Sequence, residues 1–189
     1  MIEKKKFFIT IFNLVIFIFA VTAGYAFNSG DLLKIKRNSS KKCQKCDLSG
    51  VRLNYMDLSG ADLQNADFTG ADLSNAILTE AKLNGANLTR ANLAHATLNG
   101  ANLSEANLSN ARLVYGTLNK ANLRDAILVG AKMNFAILVD ADLEDANLSN
   151  AIMSEANLTR ANLSGAKMHN VIWIDGRRCQ EGSIGECKK

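Results

Sequence analysis

Four cysteines and two histidines are the side chains in this sequence best suited to hold a metal, exchange disulfides or move protons. Cys43 and Cys46 form a C-x-x-C beside Lys41, Lys42 and Lys45, cations that favour a thiolate. Cys179 and Cys187 stand in the tail WIDGRRCQEGSIGEC. His95 and His169 lie far apart in the chain, and carboxylates recur as a regular series at Asp57, Asp62, Asp67 and Asp72. No H-E-x-x-H, G-x-S-x-G or Gly-rich phosphate loop is present. The chemistry open to these groups depends on where the rest of the chain puts them.

That chain counts in fives. From Cys46 to Asp175 it is an unbroken series of 26 pentapeptides, with Ala in the first place of 21 and Leu in the third place of 21. Places one and three share a face of extended chain, while Asp, Asn, Ser, Thr, Lys, Arg and Gly fill the other places. The pattern restarts after each fifth residue, so the chain must turn once per word. Asn, Asp, Ser and Gly are suited to that turn. A word of five is too short to stand alone, and stability must come from stacking coils into a solenoid. Four turns close a square coil of about 20 residues, giving about six and a half coils.

The words ADLQN, ADFTG, ADLSN and ANLTR, repeated over this stretch, resemble the pentapeptide-repeat family. The resemblance implies an all-β fold, a right-handed quadrilateral parallel β-helix. Its third places (Leu48, Leu53, Leu58, Leu63 and onward) would fill the centre, with the first places packed beside them. Val51, Met56 and Cys46 replace Ala in the first coil, and Met153, Met168 and Trp173 replace Leu toward the other end. Gly116 replaces Ala in mid-rod and is expected to leave a small void. The organisation expected is a signal peptide at 1–26, an N-terminal cap at 27–45, the β-helix at 46–175 and a C-terminal cap at 176–189.

With strands about 4.8 Å apart, the rod is on the order of 30 Å long, so the two cysteine pairs sit at opposite ends. That separation excludes one zinc site shared by four thiolates, whose bonds are about 2.3 Å. It equally excludes a bridge between the ends, because a disulfide needs Cα atoms within about 7 Å. The intramolecular pairs expected are Cys43–Cys46 and Cys179–Cys187. A redox centre would open a helix in a βαβ setting, which nothing here predicts, so the C-x-x-C is read as a structural clip. Leu32, Leu33 and Ile35 are available to cover the first coil, and the tail resembles the short cysteine-bearing closure of exported family members. Neither a metal nor a cofactor is expected. His95 and His169 are nearly four coils apart and cannot share an ion.

Lys4, Lys5 and Lys6 precede an apolar run from Phe7 to Ala23 and the small-residue stretch Gly24-Tyr25-Ala26, the pattern of a secretory signal cut after Ala26. A retained anchor is the competing reading, since the run is near the lower limit for spanning a bilayer. Either way the repeats are expected beyond the membrane, in the periplasm or secreted, with no transmembrane segment after cleavage. Without those 26 residues, which hold three Lys and one Glu, the formal charge falls from +4 to +2, a near balance that argues against a nucleic-acid footprint.

Sorting the words into four walls, with residues 20 apart stacked, isolates one unlike the rest: VRLNY, ADLSN, ANLAH, ARLVY, AKMNF, AIMSE, VIWID. Its fifth places include Tyr55, His95, Tyr115 and Phe135, and it also carries Arg52, Arg112, Lys132 and Val114. Exposed aromatic and basic groups on one surface are typical recognition anchors. Arg112, Tyr115, Lys132 and Phe135 are the candidate partner-binding strip, with a stabilising aromatic ladder as the plainer alternative. The function expected is a non-enzymatic exported scaffold of a bacterial envelope that binds a protein or envelope component, as a monomer or weak end-to-end dimer. The resemblance also suggests a DNA mimic that shields gyrase, which an export signal and balanced charge oppose. An effector delivered to host cells and a thiol enzyme using Cys43 and Cys46 are further alternatives.

Overall fold

The computed structural model describes residues 29–37 and 41–188, so the expected signal peptide at 1–26 and the start of the N-terminal cap lie outside the described residues. Parallel bridges join place two of each word to place two of the word 20 residues on, from Lys42 with Asp62 to Ile152 with Ile172. The coil therefore holds four words, and each word faces one side of a quadrilateral solenoid. Three backbone hydrogen bonds per word knit neighbouring coils. In one such word Leu53 N–H donates to Asp72 O at 2.8 Å, Tyr55 N–H to Ser74 O at 3.0 Å, and Asp72 N–H to Val51 O at 2.9 Å.

Each corner is closed by a bond from place one back to the preceding place three, such as Ala71 N–H to Phe68 O at 2.9 Å. Place five, the third residue of that turn, has positive φ in every word from Lys45 to Asn170, as a type II turn requires. Gly and Asn suit this place because they tolerate the left-handed region best, whereas other L-residues lose about 1–2 kcal/mol there. Place two supplies the second corner device. Asp67 Oδ1 accepts both Thr69 N–H at 2.8 Å and Thr69 Oγ1–H at 2.6 Å, and Asn107 Oδ1 does the same for Ser109. The recurring [DN]-L-[ST] is thus an Asx turn written into many of the words that carry Asp or Asn at place two. Asp57, Asp67 and Asp72 serve it, while Asp62 binds the Gln44 and Gln64 amides.

The centre is a continuous column of place-three side chains, nearly all Leu, that are fully buried from Leu58 to Met153. Phe68 is the largest, and first-place Ala packs around the column. At Gly116 the corner bond is kept, with Gly116 N–H donating to Leu113 O at 2.9 Å as at the Ala positions, and a Cβ there would lie 3.0 Å from that oxygen.

The ladder starts one word earlier than the Ala/Leu pattern. KKCQK at 41–45 behaves as a pentapeptide, with Lys42 bridged to Asp62, Cys43 in place three and Lys45 at φ 55°. The boundary at 46 is corrected accordingly; lysine in place one hid this word. Below it lies α1 (Ser29–Arg37), a helix the all-β reading did not contain. Leu32 and Ile35 of α1 join the core cluster, and Asp31 Oδ2 accepts Asp47 N–H at 3.0 Å. At the far end the tail returns antiparallel, pairing Ile172 with Arg178 and Lys167 with Ile184. It covers two walls of the last coil. On the other two, Leu158, Arg160, Leu163 and Gly165 find no backbone acceptor for their N–H groups among the described residues.

Leu108→Ala should destabilise the rod by about 3–5 kcal/mol in chemical denaturation, through lost burial and a cavity. Asn107→Ala should lose about 1 kcal/mol, since its corner keeps the backbone bond. The acid limb is set by depressed carboxylates. The Ser59 hydroxyl, its N–H and Lys41 hold Asp57 down to about 2, and Arg160 lowers Asp140. Both contribute stability in full above pH about 4 and lose it as pH falls through their folded values, so melting temperature should drop only below that point.

Candidate functional site

The corner that follows the aromatic wall holds a stack of rings. His95 and Tyr115 have centroids 5.1 Å apart at an interplanar angle of 11°, and Tyr115 and Phe135 are 4.9 Å apart at 9°. The spacing follows the coil repeat, since residues 20 apart occupy equivalent places one strand apart. All three occupy left-handed backbone, with φ near 58–59°. Stacking, worth about 0.5–1.5 kcal/mol per pair, offsets that strain. Tyr115 is 49% and Phe135 44% exposed even so, and their edges face solvent. Tyr55, though 73% exposed, is not part of the stack, because Asn75 stands between it and His95. The ring stack spans three coils, and Tyr55 is not part of it.

Arg112 and Lys132 lie on the same wall, bridged as neighbours through their backbones and exposed, with no ion pair to either side chain among the described residues. Two residues after Phe135 comes Ile137, 38% exposed at place two of the next wall, so apolar surface continues around the corner. Ile77 and Ile127 are exposed at place two as well. These isoleucines escaped the sequence reading, which treated place two as uniformly polar. Their signal was the A-I-L word.

The cysteines form two closed bridges. Cys43 and Cys46 are joined with Cα atoms 5.3 Å apart, and Cys179 and Cys187 with Cα atoms 5.0 Å apart. Cys43, Cys46 and Cys179 are buried, and α1 precedes the C-x-x-C instead of opening from it. This is clip geometry, since a thiol-exchange site needs an accessible sulfur. His169 is exposed in the last coil, far from His95. Among the described residues no group of three His, Cys, Asp or Glu side chains is placed to hold a metal ion. No helix among them is long and apolar enough to cross a membrane.

A four-walled solenoid with a packed interior and one aromatic, basic corner defines the class: a quadrilateral β-helix. The chain belongs to the pentapeptide-repeat family, eight copies of which match residues 46–85, 78–110, 86–125, 106–145 and 136–172. Solved members of that family are right-handed quadrilateral β-helices. A pentapeptide repeat protein (Rfr23) of the cyanobacterium Cyanothece is 28% identical, covering 77% of this chain and 98% of that one at a TM-score of 0.53. HetL, a protein of Nostoc involved in heterocyst differentiation regulation, is 26% identical over 81% of this chain and 100% of its own, at 0.35. QnrB1, a plasmid-mediated fluoroquinolone resistance protein, is 17% identical over 69% of this chain and 79% of its own, at 0.41. No curated protein matches the chain.

Replacing both Tyr115 and Phe135 with Asn, the residue that already fills place five at Asn65, Asn75 and Asn110, should change stability by less than about 2 kcal/mol. Lost stacking is offset by relief of left-handed strain. Differential scanning calorimetry measures this directly.

Proposed function

We propose that this protein is a non-enzymatic exported scaffold of about six and a half coils that binds a protein partner through the wall carrying Arg112, Tyr115, Lys132 and Phe135, with His95 at its lower edge. The observation that carries the reading is the exposed His95–Tyr115–Phe135 stack beside two cations that have no acidic partner. Large rings held rigid by stacking lose little entropy on binding, and Arg and Tyr are favoured recognition anchors. Among the described residues the interior is filled by the buried Leu column and its flanking Ala. The place-two carboxylates Asp47, Asp57, Asp67 and Asp72 are engaged in closing corners, a structural task.

Export to the periplasm or beyond is supported by the basic, apolar and small-residue order of the first 26 residues and by two disulfides, which persist in oxidising compartments. The bridges suit such a setting. The first fixes the corner where the ladder begins, beneath α1, and the second holds the returning tail against the last coil. The ends are then the cap regions, and the walls between them are free to bind.

Affinity capture from native envelope extract is the test. Wild type should retain a defined partner that Tyr115→Asn/Phe135→Asn loses by at least about tenfold, with the variant's melting curve nearly unchanged. Equal recovery by both would overturn the aromatic wall as the site, and recovery of gyrase would favour the DNA-mimic alternative. Cys179→Ser/Cys187→Ser should leave the central coils folded while destabilising the tail by about 2–3 kcal/mol, read as faster amide exchange confined to residues after 165.

A further inference from the structure

The balanced charge of the whole chain conceals a strong division around the rod. Across the words 86–95, 106–115 and 126–135, which form the aromatic wall and the wall before it, there are Arg90, Arg112 and Lys132 and no carboxylate. The wall opposite the aromatic one, two words away around the same coils, carries Glu105, Asp125, Asp142, Glu144 and Asp145 with Arg124 alone in return. Arg124 is engaged by Asp142 and Glu144. Among the described residues Glu105, Asp125 and Asp145 make neither an ion pair nor a side-chain hydrogen bond, and they stack at successive place fives, exposed and one coil apart.

Two like-charged rows are thus left unpaired on opposite walls. Like charges directly opposite on neighbouring strands are destabilising. Elsewhere this chain relieves such contacts by setting opposite charges one coil apart, as Asp140 does with Arg160 at 2.6 Å. The ring stack narrows the chemistry of a partner further. Stacked rings turn their faces to one another and present edges, which carry partial positive charge and favour an electron-rich, carboxylate-bearing surface over a flat sugar or base.

We infer that the partner of the aromatic wall is a second copy of this chain, docked side by side so that Arg112 and Lys132 meet the row Glu105, Asp125 and Asp145. The rows match in spacing because both are set by the same coil repeat, about 4.8 Å, so register in one coil gives register in all. The two surfaces differ and lie on opposite walls, making the contact heterologous: each added rod exposes a fresh wall, and association is open-ended. The inference rests on the aromatic wall being a recognition surface, and it names the occupant of that wall.

Analytical ultracentrifugation of the oxidised protein across a concentration series tests it. At low salt the weight-average mass should rise at least about twofold from dilute to concentrated protein and return to the monomer value at high salt, as screened charges require. Arg112→Glu/Lys132→Glu should remain monomeric. Adding Glu105→Lys, Asp125→Lys and Asp145→Lys to that variant should restore association, since lysine already occupies place five at Lys45 and Lys120. Monomer at every concentration and salt overturns the inference, as does association that ignores the charge reversal and depends instead on the open edge at Leu158 and Leu163. If wild type stays monomeric yet captures another protein through Tyr115 and Phe135, the self-docking inference fails while the scaffold reading stands. If capture also ignores those residues, both fail.

Discussion

The structure depends on a corner that must be turned every five residues in the same way. Each turn forces its third residue into the left-handed region, and each is closed by a place-two Asp or Asn or by the backbone bond from place one to place three. If one corner opened differently, the next place two would miss its partner 20 residues on. Repetition of that constraint makes the walls flat, the coils commensurate and the central column dry. It also explains why the interior tolerates only a narrow choice of side chain while the outward places vary.

Commensurate walls convert sequence into surface pattern with little distortion. A residue type repeated every 20 positions becomes a row, and the rows here are distinct: three stacked rings on one corner, two free cations beside them, and three free carboxylates on the opposite wall. A globular domain would blur such groupings through loops of unequal length. In this rod the rows stay in register from coil to coil, and the Cys43–Cys46 and Cys179–Cys187 bridges sit at the two ends of the ladder that displays them.

Most of the fold was legible because the pentapeptide signal is set by burial, and burial is what periodicity reports. The words with unusual first residues were harder: Lys41 hid the opening word, which the ladder nevertheless includes. Helix α1 was unreadable from the repeat since its nine residues follow different rules. Of the candidate residues, the wall assignment placed His95, Tyr115, Phe135 and Tyr55 on one wall, and the structure stacks the first three, because membership of a wall says nothing about a gap such as Asn75. The exposed isoleucines and the acidic row were missed for a related reason. Charge was summed along the chain when it needed to be summed wall by wall.

Hydroxyl-radical footprinting tests the central claim, that recognition takes place on the aromatic wall, with a control built into the molecule. Tyr55 lies on the same wall but outside the stack, so it reports labelling without binding. In native extract or in concentrated protein, Tyr115 and Phe135 should become protected while Tyr55 stays as reactive as in the isolated rod. Equal labelling of all three under every condition would contradict the account and leave the stack as reinforcement of the solenoid alone.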